Sequence, residues 1–412
     1  MKKIAVILLC CIQLLSITGC FLIEPQISDE EIIQQQQEIL RFGFSSEYET
    51  LEKVLTLDEL LAWTNPYASY SSYYFYKTLN TEEHYIYHAL EYALVNSYEF
   101  TDIDSKINIL TDRCNLIVQY LAVDTPLLEQ NVISSCSANH NNKYDYAVDE
   151  NRVVSVPLYS KKIQVNNFRP EQWKKKMSAL EEAEKVFAQF KKHDTDIELA
   201  EEIYRYVAKN IEYIPYENEN GFYRGYLSPF LHDAFINKKT HCDGFANALA
   251  LLFAMAGFEQ VEKEGYNDEI GHTWNCVKLD GVWYNCDATA ESWIPKKSTS
   301  MGAGPFFAFS DQLVAYEQKW SDKYPACEKS YYMNPSGTAK NLNGNEFYNI
   351  ARKGFAEHKE WSLVIVESVN EKKLSKQLNR LANAYSRTVY CYQMDMMNGK
   401  CIILITKKDV FD

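Results

Sequence analysis

Lys239-Thr240-His241-Cys242-Asp243-Gly244-Phe245-Ala246-Asn247-Ala248-Leu249-Ala250-Leu251-Leu252-Phe253-Ala254-Met255-Ala256-Gly257-Phe258 is the stretch on which the reading of this chain turns. Cys242 opens a helix that runs to Gly257, a residue suited to a C-terminal stop. The positive end of that helix and its unsatisfied N–H groups would surround the sulfur, a setting that favours thiolate and lowers a cysteine pKa. Gly244, Ala246, Ala248 and Ala250 are small, so neighbouring elements can approach the helix closely and bring a base to the sulfur. A buried structural cysteine at a helix start fits the segment equally well when it is taken alone.

Thirty residues on, Gly271-His272-Thr273-Trp274-Asn275-Cys276-Val277-Lys278-Leu279 and Val282-Trp283-Tyr284-Asn285-Cys286-Asp287 flank Asp280-Gly281. The Asp-Gly dipeptide predicts a two-residue hairpin turn with Leu279 opposite Val282. Cys276 then faces Asn285, Cys286 faces Asn275, and Asp287 falls opposite Trp274. The parity of the pleat sends His272 and Asp287 to the same face as diagonal neighbours, roughly 7–8 Å apart at the backbone. An imidazole and a carboxylate close that gap, and a carboxylate so placed holds the tautomer of a base.

Cys-Asp-Gly-Phe-Ala at 242–246, Gly-His-Thr-Trp-Asn at 271–275 and Asn-Cys-Asp-Ala-Thr at 285–289, in that order, resemble the transglutaminase-like superfamily with its papain-like triad. The resemblance implies an α+β core, a nucleophile helix packed on an antiparallel sheet, with Cys242 as nucleophile, His272 as base and Asp287 as orienter. It further implies acyl transfer through a thioester at Cys242, either peptide-bond hydrolysis or transfer from a glutamine side chain to an amine. Leu231-His232-Asp233-Ala234-Phe235 resembles the helix that precedes the nucleophile in this family. Phe306-Phe307-Ala308-Phe309-Ser310-Asp311 and Tyr324-Pro325 resemble the stretch that closes such domains in exported bacterial members. Tyr73 to Leu79 resembles their N-terminal region more loosely, so the likeness covers about 70–330 and is strong from 231 to 311. One oxyanion donor is the backbone N–H of Cys242. Family members often carry a tyrosine on the preceding helix, and the matching position here holds His232, the candidate second donor. His241, beside the nucleophile, points elsewhere and suits packing or solvent.

Outward from this centre, helical periods at Gln172–Lys192 and Ile197–Ile211 lead into the motif region, the second with a stripe of Ile197, Ala200, Ile203, Val207 and Ile211. Residues 167–335 form the expected transglutaminase-like domain. Before it, 20–166 is a tyrosine-rich, mainly helical region in which Asn80 and Glu83 form a capping box for a helix from Thr81 to Asn96. Strands follow in Tyr144–Val165. His84 and His88 lie one turn apart on that helix, but no third metal ligand is evident nearby. Residues 345–412 read as a small α/β unit: strand Ser362–Glu367, a helix with Leu374, Leu378 and Leu381 on one face, and the hairpin Thr388–Thr406. There the Asn398-Gly399 turn sets Met397 opposite Lys400 and Cys401 opposite Met396.

Residues 1–19 read as a lipoprotein signal peptide, with Lys2 and Lys3, an apolar run from Ile4 to Leu15, and Ile17-Thr18-Gly19-Cys20 resembling a lipobox. Cys20 is the expected lipidation site, which would place the protein in the bacterial cell envelope, on a membrane by its lipid. Of the eleven cysteines in the chain, those beyond Cys20 show no CxxC spacing, and neither Cys276–Cys286 nor Cys391–Cys401 is placed to bond. The net charge of -14 and the absence of a basic run denser than Lys174-Lys175-Lys176 exclude nucleic acid as an expected partner. No phosphate loop or EF-hand pattern is present, so no cofactor or metal is expected. The partners implied are a protein or peptide substrate and a membrane. The competing possibility is a catalytically silent module of the same fold that binds peptides or cell-wall material at the membrane surface.

Overall fold

The computed structural model describes residues 55–407 except 97–99, 103, 105–106, 108, 110, 129–147, 150–151, 154–161, 165–169, 216–229, 267–270, 293–305, 315, 320–321, 333, 360, 387 and 396–399. Residues 1–19, read from sequence as a leader, and Cys20 lie outside this range. Among the described residues, no helix is long and apolar enough to cross a membrane.

Three helices open the described chain: α1 (Leu57–Ala62), α2 (Thr81–Val95) and α3 (Thr111–Asp124). The capping box at Asn80 and Glu83 is present, each residue satisfying an orphan N–H of the other. Buried Asp124 ties the preceding turns to α3, its oxygens accepting from Ser72 Oγ and from the N–H groups of Phe75 and Tyr76. A short strand, Phe100–Asp102, pairs antiparallel with Lys162–Gln164 from the stretch read as strands.

Helices α4 (Pro170–Phe187), α5 (Asp196–Asn210) and α6 (Cys242–Met255) build the central core with the sheet strands β1 (Gln260–Tyr266), β2 (Gly271–Leu279) and β3 (Val282–Cys286). Every residue of the stripe on α5 is buried. Helix α6 is apolar on nearly all sides, as befits a helix enclosed by other elements, and Gly257 after its end takes φ +77°. The sheet is antiparallel in the order β4-β1-β2-β3, with β4 the short strand Glu317–Gln318. Asp280 and Gly281 both have positive φ, as the two-residue turn requires, and Leu279 faces Val282, Cys276 faces Asn285 and Asn275 faces Cys286.

One face of this sheet carries α6 through Val277 and Leu279. The other is covered by the tyrosine-rich N-terminal region, whose core includes Val261 and Cys276 of the sheet as well as Tyr324 and Cys327. Tyr74 donates to the carbonyl of Lys323 and meets Trp283 edge to face. The site-bearing strands are thus held from both sides, an α+β arrangement in which little of the sheet reaches solvent.

The C-terminal unit is a second sheet, β5 (Gly337–Ala339), β6 (Trp361–Val366), β7 (Tyr390–Asp395) and β8 (Cys401–Thr406), in the order β5-β6-β8-β7. Helices α7 (Glu346–His358) and α8 (Glu371–Tyr385) pack on one face. The other face meets Phe309 and Leu313 of the central domain. The terminal hairpin departs from the expected register by one residue: Cys401 pairs with Asp395 rather than Met396, and the turn itself lies outside the described residues. Strand β8 is buried on both faces, so packing against β6 sets the register and overrides the turn signal.

Candidate active site

Cys242 is the first residue of α6, with His241 extended at the N-cap position. The helix start is pressed against the strand before it: a Cβ on Gly244 would lie 2.0 Å from Thr240 Oγ1, so only glycine permits this approach. Helix and sheet are tied on the other side by Thr273 Oγ1 donating to Asp243 at 2.7 Å and by Asn275 Nδ2 donating to the carbonyl of Ala246 at 3.0 Å.

His272 sits near the start of β2, with Nε2 2.7 Å from Asp287 Oδ2. Cys242 hydrogen-bonds to His272 as well. Nε2 faces the carboxylate, so the remaining ring nitrogen, Nδ1, is the one left for the sulfur. Asp287 is itself fixed at every polar atom named here. Its other oxygen accepts the N–H of Ala290, its own N–H donates to the carbonyl of Phe306, and its carbonyl accepts the hydroxyl of buried Tyr204. The structure therefore brings the three residues singled out in the sequence into one chain of hydrogen bonds, all with exposure of 8% or less.

Charge and burial oppose each other here. Burial drives the His272 imidazole toward its neutral form, but the charge and hydrogen bond of Asp287, with help from Cys242, reverse this and lift its pKa to about 10. Burial also acts on the Cys242 thiol and, with the Asp243 carboxylate, pushes its pKa up, outweighing His272 and the N–H of Thr273. This corrects the expectation of a lowered cysteine pKa. Desolvation is the largest influence on the thiol and favours its protonated form.

Several neighbours were not singled out from sequence. The ring of Tyr316 stacks on His272 with centroids 4.5 Å apart, and Trp274 stacks on the same imidazole at 5.9 Å. Tyr316 also meets Trp274 with centroids 5.9 Å apart, so its ring packs on both the imidazole and the indole. No periodicity marks the segment around it. Trp274 is held by its Nε1 donating to Asn285 Oδ1 at 3.1 Å, and Asn285 Nδ2 donates to Asp311 Oδ1 at 3.0 Å. Asp311 also receives buried Lys263 at 3.1 Å and the N–H of Cys327 at 2.8 Å. The stretch Phe306–Ser310 closes on the outer edge of β3, Phe309 and Asn285 exchanging both backbone hydrogen bonds at 2.9 Å.

His232 ends the short helix ahead of the nucleophile. Burial, with Lys175, outweighs Asp233 and keeps its ring toward the neutral form. His241 Nδ1 lies 3.3 Å from Asp243 and its ring meets Phe230 edge to face. His241, Cys242 and Asp243 each offer a ligand atom within 4.8 Å of the others, the donor set in this site to which a soft cation could bind. His84 and His88 both turn to Tyr76, through its carbonyl and its hydroxyl, each at 2.9 Å.

Residues 184–288 match the Transglutaminase-like superfamily, and the three motif residues lie within that span. The chain is 26% identical over 192 residues to Kyphoscoliosis peptidase of Homo sapiens and 25% identical over 189 residues to that of Mus musculus. Each match covers 41% of this chain, and the chain spans about a quarter of the relatives' length, 27% and 26%. A solved TGase structure aligns at 21% identity with a TM-score of 0.25, covering 30% of this chain and 34% of that one. The periplasmic domain of TgpA from Pseudomonas aeruginosa, solved bound to ethylmercury, aligns at 15% identity with a TM-score of 0.22, covering 33% and 55%. The central domain, a mixed helix and sheet fold, is similar to the transglutaminase-like superfamily over residues 184–288.

Proposed function

We propose that this protein is a cysteine-dependent acyl-transfer enzyme acting on protein or peptide amides. The observation that carries the proposal is the hydrogen-bonded chain from Cys242 through His272 to Asp287 at the start of a helix. In the proposed reaction the minor neutral form of His272 takes the Cys242 proton and the sulfur adds to the amide carbonyl. The backbone N–H of Cys242 faces the developing oxyanion, with His232 the candidate second donor. The C–N bond breaks as His272 returns the proton to the leaving nitrogen, leaving a thioester on Cys242. Water or an amine, deprotonated by His272, then attacks the thioester and regenerates the thiol. Water is abundant outside a cell, which favours hydrolysis. Asp287 supports the imidazolium that forms at each proton transfer.

The test is a peptide mixture incubated with the full chain, with and without a primary amine. Mass spectrometry would then read new peptide termini, glutamine deamidation and amine adducts. At least one of these should appear and vanish in Cys242→Ala. No Cys242-dependent product in any channel would remove the proposal.

The silent binding module has one observation in its favour, the burial of Cys242, which is 5% exposed. Retained peptide binding by Cys242→Ala, without turnover by the wild type, would decide for it. We also propose lipidation at Cys20 and hence an envelope location. Incorporation of labelled fatty acid that is lost in Cys20→Ala is the expected result, and unchanged labelling would refute it.

A further inference from the structure

Cys276 and Cys327 take no part in the proposed chemistry, yet their sulfurs lie 3.2 Å apart in the interior, with exposures of 0% and 1%. Cys276 is on β2, on the same side of the strand as His272 and Trp274. Cys327 follows the closing stretch and is held there by two hydrogen bonds, Asp311 N–H to its carbonyl and its own N–H to Asp311 Oδ2, both 2.8 Å. Lys263 Nζ stands 3.8 Å from Cys327 Sγ and 3.1 Å from Asp311 Oδ1. The remaining cysteine of the hairpin, Cys286, is sent to the opposite side of the sheet by the register.

We infer that Cys276 and Cys327 are a crosslinking site, joined as a disulfide when the chain folds in the presence of a small disulfide oxidant. The sulfurs need approach by only about 1.2 Å to reach bonding distance, within the reach of side-chain rotation. Lys263 keeps its carboxylate partner whether the sulfurs are thiols or a disulfide, so bonding leaves no buried charge unpaired. The oxidant is an external disulfide such as oxidised glutathione. One cysteine thiolate attacks it and releases a first glutathione thiolate; the second cysteine thiolate attacks the mixed disulfide and releases another. Two protein thiols are oxidised to one disulfide, one glutathione disulfide is reduced to two thiols, and the two cysteine protons pass to the released thiolates. Both sulfurs are closed off in the folded protein, so exchange takes place before the stretch around Cys327 docks.

The bond would do more than close a loop. Asp311 links Cys327 to Asn285, Asn285 holds Trp274, and Trp274 stacks on His272. A covalent tie at Cys327 therefore pins the far end of the network that packs behind the base. The inference does not depend on the acyl-transfer reading and can hold in a silent module.

The test is the full chain secreted into the oxidising periplasm of an expression host, alkylated with iodoacetamide under denaturing conditions and digested without reduction. A Cys276–Cys327 linked peptide pair should be found, with Cys242 alkylated. Dithiothreitol should lower Tm by roughly 5–10 °C in the wild type and leave Tm of Cys276→Ser/Cys327→Ser unmoved. Recovery of both cysteines as alkylated peptides, or either one linked to a different cysteine, would overturn the inference.

Discussion

Replacing Asp287 with asparagine preserves the shape of the side chain and removes its charge. In the folded protein burial alone would push His272 down, and the charge and hydrogen bond of Asp287 are the largest influences that raise it, to about 10 from 6.5. At about 1.4 kcal/mol per tenfold change in proton affinity, that rise is worth on the order of 4–5 kcal/mol. His272 is 8% exposed, so solvent screens little of it. The folded pKa lies above the unfolded one. The stabilisation is therefore complete below pH about 6.5 and is lost as pH rises through about 10. In Asp287→Asn burial prevails, and His272 should titrate below 6.5. The assay is proton NMR of the imidazole across pH, joined with urea midpoints at about pH 6 and about pH 10. Between those points the wild type should lose several kcal/mol more than the variant. A wild-type His272 that titrates near 6.5, or the same titration in Asp287→Asn, would refute the reasoning.

Alkylation of Cys242 in the wild type should rise with pH through an inflection above 9, the ordinary thiol value, because burial holds the proton on; Tyr316→Ala should speed labelling about tenfold and draw the inflection back toward that value. Gly244→Ala should cost about 1–3 kcal/mol in urea unfolding, since its Cβ would collide with Thr240, and an unchanged midpoint would contradict the close approach at the helix start. Asp311→Ala strands the Lys263 ammonium, which is fully buried, and should cost about 3–5 kcal/mol; Lys263→Met/Asp311→Ala should recover a large part of that loss.

The site was legible because its geometry is local. The two residues Asp280 and Gly281 admit a tight turn of one kind, and that turn carries the register all the way to Asn275 and Cys286, aligning His272 with Asp287. The same logic at Asn398-Gly399 misplaced the terminal hairpin by one residue, because β8 is the buried central strand paired on both sides and its packing competes with the turn signal. Tyr316 was illegible for a different reason. It reaches His272 through tertiary packing from a stretch with no periodicity, and a single tyrosine among thirty carries no signal of its own. The direction of the Cys242 pKa was missed because a helix start can be read from residue types, whereas burial of the sulfur by tertiary packing cannot. Asp311, Asn285 and Cys327 illustrate the same limit: each looks ordinary in sequence, and their role as a brace behind Trp274 appears when residues 16 to 26 positions apart meet.

The most direct test of the account is whether Cys242 becomes acylated. The full chain would be mixed with p-nitrophenyl acetate, quenched in acid and mapped by mass spectrometry. The account predicts a hydroxylamine-labile acetyl thioester on Cys242, absent in Cys242→Ala and formed far more slowly in His272→Ala. Acylation spread over other residues, or on Cys242 at a rate indifferent to His272, would contradict it.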